Sequence, residues 1–177
     1  MDHRSLNEKM KTEGRRKRRW RQPSIDEKKL ASTELKDLWG DYQKRVRVLE
    51  ARFPNDNNRT LAEREFARKL KLYTGLRFYP GFWLGSFQVD VFIPSLNALI
   101  EINGGIHNTE GKMFSDGVKF RKLCKLYGAW PIEFENRQVY NEFKRVLELL
   151  ERLPRLTPIE EELQLKRMLL VTIESGL

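Results

Sequence analysis

The stretch Phe87-Gln88-Val89-Asp90-Val91-Phe92-Ile93-Pro94-Ser95-Leu96-Asn97-Ala98-Leu99-Ile100-Glu101-Ile102-Asn103 decides how this chain folds. Two runs of β-branched and aromatic residues flank Pro94-Ser95-Leu96-Asn97, the sequence signature of a β-hairpin. Strand side chains alternate faces, so Gln88, Asp90 and Phe92 share one face, and Leu99, Glu101 and Asn103 share one face of the return strand. With the turn at those four residues, Ile93 pairs with Ala98, and counting back sets Asp90 opposite Glu101. Facing carboxylates repel, and an acid pair inside an apolar hairpin is costly to keep for stability alone. A divalent cation between them turns that repulsion into coordination by hard oxygen ligands. The competing reading is an open sheet on which Asp90 faces solvent.

Downstream of the hairpin, Gly104-Gly105 ends the second strand, and a loop over 106–114 leads to a helix capped by Ser115 that runs to about Tyr127. Gly128 closes that helix, Ala129 to Phe134 reads as a strand, and Asn136 caps a helix with Val139, Phe143, Val146, Leu147 and Leu150 on its buried side. Upstream, Thr60-Leu61-Ala62-Glu63 is a capping box opening a helix that turns Phe66, Leu70 and Tyr73 inward and stops at Gly75. Leu76 to Tyr79 is expected as a strand, followed by a loop punctuated by Gly81 and Gly85. The resulting order is helix, three strands, helix, strand, helix. It predicts an α/β core around a small mixed sheet.

Helices extend the core at both ends. Ser24-Ile25-Asp26-Glu27 reads as another capping box, and Leu35, Leu38, Trp39, Tyr42, Val46, Leu49 and Phe53 recur at helical spacing. These predict one long amphipathic helix, with Gly40 as its weak point, ending before Pro54. Thr157-Pro158 with Glu160 and Glu161 opens a last helix with Ile159, Leu163, Met168 and Ile173 inward. The expected organisation is a flexible basic tail over 1–22, a helical extension and linker over 23–59, a core over 60–153 and a C-terminal helix over 154–177.

Charge narrows the class of partner. The chain of 177 residues carries a formal +9, and residues 1–60 hold seven of those charges, with 17 Lys or Arg against 10 Asp or Glu. Arg15, Arg16, Lys17, Arg18, Arg19 and Arg21 crowd six cations around Trp20, which suits a solvated tail, a nuclear localisation signal or a grip on a polyanion. Six contacts to duplex phosphates would give log affinity a slope of roughly −5 against log salt. Cys124 is the single cysteine, so no internal disulfide or thiolate zinc cluster is expected. A reducing compartment follows, the cytoplasm, with the nucleus left open by the basic run. No signal peptide and no membrane span is expected, since the longest apolar run is only Met168 to Val171.

Several of these residues together carry a family likeness. Ala62-Glu63, Val89-Asp90-Val91-Phe92, Ile100-Glu101-Ile102-Asn103-Gly104-Gly105 with His107, then Asp116, Lys119, Leu123, Gly128 and Phe134-Glu135-Asn136-Arg137-Gln138-Val139 follow one another in order. In that order and spacing the segment from about Leu61 to Leu150 resembles restriction-endonuclease-like nucleases of the PD-(D/E)xK superfamily. Within it the likeness is to the very-short-patch-repair type and to phage homing endonucleases whose site is summarised as EDxHD. The resemblance implies a restriction-endonuclease-like core, Mg²⁺ (or Mn²⁺ in its place) held by Asp90 and Glu101, and hydrolysis of DNA to a 5′-phosphate and a 3′-hydroxyl. It implies a site completed by Glu63, Asn103, His107 and Asp116, with Lys119 on the substrate phosphates. Two positions depart from the pattern: Asn103 stands where close relatives carry Asp, and Glu133 where they often carry Arg.

Each residue also has a plainer reading. Glu63 sits where a capping box needs a glutamate, Asp116 suits the positive end of a helix, and Asn103 suits a turn into two glycines. A neutral imidazole at His107 is suited to taking a proton from water, though a histidine in a polar loop usually has no such task. One site per chain implies nicking by a monomer, or a homodimer for cutting both strands. The rival functions are a non-catalytic nucleic-acid-binding module of the same fold, a nuclease subunit of a transposition or repair complex, and an RNA-directed protein.

Overall fold

A computed structural model describes residues 30, 32–54, 59–85, 87–104, 118, 122 and 126–174. Four strands form one mixed sheet in the order β1 (Tyr79–Leu84), β2 (Phe87–Ile93), β3 (Ala98–Asn103) and β4 (Trp130–Glu135). β1, β2 and β3 are antiparallel neighbours, whereas β4 runs parallel to β3, which requires a crossover between them. Of that crossover, Val118, Lys122, Leu126 and Tyr127 are helical.

The central turn is as expected. Pro94–Leu96 makes one turn of 3₁₀ helix, Asn97 takes the left-handed conformation (φ 47°), and Ile93 pairs with Ala98. Asn97 then ties the turn to its surroundings: its Nδ2 donates to Gly128 O (2.8 Å), its carbonyl accepts from Trp130 N (3.0 Å), and its Oδ1 accepts from Gln164 Nε2 (2.8 Å).

Two apolar layers sandwich the sheet. α1 (Leu35–Arg52) and α5 (Pro158–Glu174) contribute Leu38, Tyr42, Leu49, Leu165, Met168 and Leu169 to a cluster with Phe82, Phe92 and Leu99. On the other face α2 (Leu61–Tyr73), α3 (Asn136–Asn141) and α4 (Phe143–Glu151) supply Phe66, Leu70, Val139, Phe143 and Val146 against Val91, Ile93, Ile100 and Phe134. α5 therefore helps to build the core, closing it over the α1 side. Lys69 locks α2 to α3, donating from Nζ to the carbonyls of Val139 (2.7 Å) and Tyr140 (3.2 Å) at the negative end of that helix.

Several boundaries differ from expectation. α1 runs straight through Gly40, and the break lies earlier, where Glu34 is extended (ψ 133°). The expected strand at 76–79 is instead a strand over Tyr79–Leu84, because burial of Phe82, Trp83 and Leu84 outweighs the glycine punctuation. Gly85, with φ 62°, begins the turn into β2. Glu135 rather than Asn136 caps α3, in a capping box with Gln138. The helix expected beyond it is broken at Glu142 (φ −127°, ψ 29°). Ile159, expected inward, is 74% exposed, whereas Met168 is buried as expected, together with Leu165, Leu169 and Thr172.

Candidate functional site

The sheet is irregular at one place, and Asp90 occupies it. β1's register with β2 steps from Pro80–Val91 to Phe82–Val89, passing over Gly81 and Asp90. Residues three apart on a regular strand lie on opposite faces. Tyr79 and Phe82 nevertheless pack together, ring centroids 5.9 Å apart, in the same cluster as Val89 and Phe92. The alternation thus changes phase at Gly81 and Asp90 on both strands while the register is the same on either side of them, and Gly81 has φ 62° there.

On its other side β2 pairs with β3 at Ile93–Ala98, Phe92–Leu99 and Val91–Ile100, and the regular register ends there. The pairing of Asp90 with Glu101 expected from the sequence would be the next step of that count and lies beyond the ladder. The amide of Ile102, due to carry the next rung, donates instead to Asp90 Oδ2 at 2.6 Å. A side-chain carboxylate thus replaces a backbone carbonyl at the point where the two strands part. Such a charge-assisted bond contributes about 1.5–3 kcal/mol and fixes the carboxylate against the backbone.

β3 and β4 arrange the neighbouring polar groups. Ile100, Ile102, Ile132 and Phe134 pack with α2, α3 and α4, so alternation puts Glu101, Asn103, Glu133 and Glu135 on the Leu99 face. Glu101 pairs with Glu133 and Asn103 with Glu135. Asn103 Nδ2 donates to Glu133 Oε2 at 3.1 Å. Glu101 and Asn103 are half-buried, while Glu133 and Glu135 are exposed. Two glutamates side by side repel by a few tenths of a kcal/mol, up to about 1 kcal/mol.

Glu63 has a different setting. Its backbone N–H donates to Thr60 Oγ1 (3.3 Å), and its Oε1 accepts from that hydroxyl (2.8 Å), at the start of a helix on the opposite layer from the Glu101 face. His107, Asp116, Lys119, Arg15, Arg16, Lys17, Arg18, Arg19 and Arg21 lie outside the described residues.

Two neighbours escaped the sequence reading as site candidates. Glu133 was detectable, since Ile132-Glu133-Phe134 repeats the pattern Ile100-Glu101-Ile102 and a parallel register aligns the two acids. Arg59 carried no signal: its Nη2 donates to Pro80 O (3.0 Å), and its guanidinium lies against Gly81, where a Cβ would come within 3.2 Å of it. A cation therefore hangs beside the strand position that neighbours Asp90.

The donor set fits a hard cation. Carboxylate and carboxamide oxygens suit Mg²⁺ or Mn²⁺, and Mg²⁺ commonly takes one or two carboxylates, completing its shell with water and substrate phosphate. Ile102 occupies one of the roughly four lone-pair positions of the Asp90 carboxylate. Among the described residues there is no group of three or more His, Cys, Asp or Glu side chains that could hold an ion. Compared with protein-family models, with curated proteins and with solved structures, the chain matches none.

Proposed function

We propose that this chain is a metal-dependent DNA endonuclease with a restriction-endonuclease-like core. The observation that carries the reading is the Asp90–Ile102 bond at the parting of β2 and β3, beside Glu101. The bond stabilises the fold, and as a backbone tether it also gives the carboxylate the rigidity that catalysis requires.

Asp90 and Glu101 would hold the cation, with the carboxamide oxygen of Asn103 alongside. When bound, Mg²⁺ supplies the charge that acidifies a water and offsets negative charge growing on the phosphodiester. The chain's own contribution is to fix the two carboxylates and to orient the substrate phosphate. His107 would deprotonate or orient the attacking water, and by the resemblance Asp116 and Lys119 would act with it. The basic run before Pro23 holds the DNA backbone without regard to sequence. A monomer nicks, and a homodimer or two successive events cut both strands. No described helix is long and apolar enough to cross a membrane.

Asn103 favours a second reading, a nucleic-acid-binding module without catalysis, because a neutral carboxamide stands where the resembled pattern has a carboxylate. Supercoiled plasmid incubated with the purified chain in Mg²⁺ and in EDTA separates the two. Relaxation that needs the metal supports the enzyme. Plasmid that is retarded on a gel but intact in Mg²⁺ and Mn²⁺ supports the module.

A further inference from the structure

We propose that Glu133 is a positioning residue that turns Asn103 into an oxygen donor for the cation subsite; this rests on the nuclease reading above. A carboxamide has two chemically opposite ends, an NH₂ that only donates and an oxygen that only accepts. Which end faces the site decides whether Asn103 attracts or repels a cation. A carboxylate cannot donate, so the end that meets Glu133 is fixed as the NH₂. The 3.1 Å bond from Asn103 Nδ2 to Glu133 Oε2 has that arrangement. Oδ1 is then turned away from Glu133, on the face Asn103 shares with Glu101.

Ile102, between Glu101 and Asn103, is the residue whose N–H is bonded by Asp90. The Asp90 carboxylate thus meets the backbone between the two side chains. An oxygen from Asn103 adds a neutral hard ligand, or an acceptor for a water, to a site that already has two negative charges. A cationic residue at 133 would reverse the amide and present its NH₂ instead. Glu133 is exposed, and an exposed hydrogen bond adds little to folding, so the pair is poorly explained by stability.

Mn²⁺ binding to the full chain, followed by calorimetry and by the loss of free-ion paramagnetic resonance signal, tests this without any turnover. Four proteins form the cycle: wild type, Glu133→Ala, Asn103→Ala and the double variant, with thermal melts confirming that each is folded. Loss of a residue that orients a ligand weakens metal affinity by about 10-fold. The expected result is such a loss for Glu133→Ala in the wild-type background and less than about 2-fold in the Asn103→Ala background, because there is no amide left to orient. Equal losses in both backgrounds would show that Glu133 acts by its charge, and no loss in either would show that it does nothing; each overturns the proposal. Asp90→Ala run in parallel distinguishes the two levels of inference. If Asp90→Ala abolishes Mn²⁺ binding while Glu133→Ala leaves it unchanged, only the role of Glu133 falls. If wild type binds no Mn²⁺, or binds it as well as Asp90→Ala does, the metal reading falls with it.

Discussion

Asp90 Oδ2 accepts the backbone N–H of Ile102 at 2.6 Å, across the place where β2 and β3 cease to pair. This one contact ties the edge of a sheet to the chemistry proposed for it. Asp90→Ala removes the acceptor and strands the amide, costing about 1.5–3 kcal/mol in urea unfolding. Asp90→Asn keeps an acceptor oxygen and costs less than about 1.5 kcal/mol, the range of a neutral hydrogen bond. Equal stability of the wild type and both variants would mean that the tether carries no energy.

Gly81 and Gly40 respond to alanine in opposite directions. At Gly81 the φ of 62° is left-handed, and an added methyl would sit 3.2 Å from the Arg59 guanidinium, so Gly81→Ala is destabilising by about 1–2 kcal/mol. Gly40 lies inside α1 with nothing within 4 Å, so Gly40→Ala stabilises by about 0.5–1 kcal/mol. Urea midpoints of the two variants measure both. A neutral Gly81→Ala would show that the slip in alternation beside Asp90 does not depend on that glycine.

Burial makes alkaline pH destabilising. Tyr127 is pushed by burial from 10.0 up to about 12, and burial raises Tyr42 further, against the opposing hydrogen bond with Trp83. A phenol raised in the folded state contributes stability that is complete below pH 10 and is lost as pH rises through its folded value. The melting temperature should therefore fall between pH 10 and 12, and fall less steeply in Tyr127→Phe. Identical slopes for the two proteins would contradict the assignment to Tyr127.

The hairpin was legible because its evidence is local. A four-residue turn fixes register, so Ile93–Ala98 followed from counting, whereas the shared face expected for Gln88, Asp90 and Phe92 does not hold, since Val89 and Phe92 pack in one cluster. The mixed sheet followed from the element order, and the Thr60 N-cap on Glu63 N–H from its spacing. What was not legible depends on contacts distant in sequence. Gly81 reads as a loop residue, since a left-handed glycine inside a strand leaves the same mark in the sequence as a break. Glu142 interrupts a helix whose apolar spacing continues across it, from Val139 to Phe143 and Val146. The departures at Asn103 and Glu133 looked independent until the parallel β3–β4 register brought them into one hydrogen bond. Arg59 reaches Gly81 from the linker, and no pattern announces such a contact.

The central claim is that Asp90 and Glu101 work as a cation-holding pair on DNA, and strand scission by matched variants tests it most directly. Initial nicking rates of supercoiled plasmid in Mg²⁺ should fall at least about 100-fold in Asp90→Asn and in Glu101→Gln, as expected when a group essential to the metal-assisted step is lost. Both variants should keep cooperative melts and wild-type plasmid retardation, since the phosphate grip proposed for the basic run before Pro23 involves neither carboxylate. Wild-type nicking that persists in EDTA, or nicking by both variants at the wild-type rate, would contradict the account.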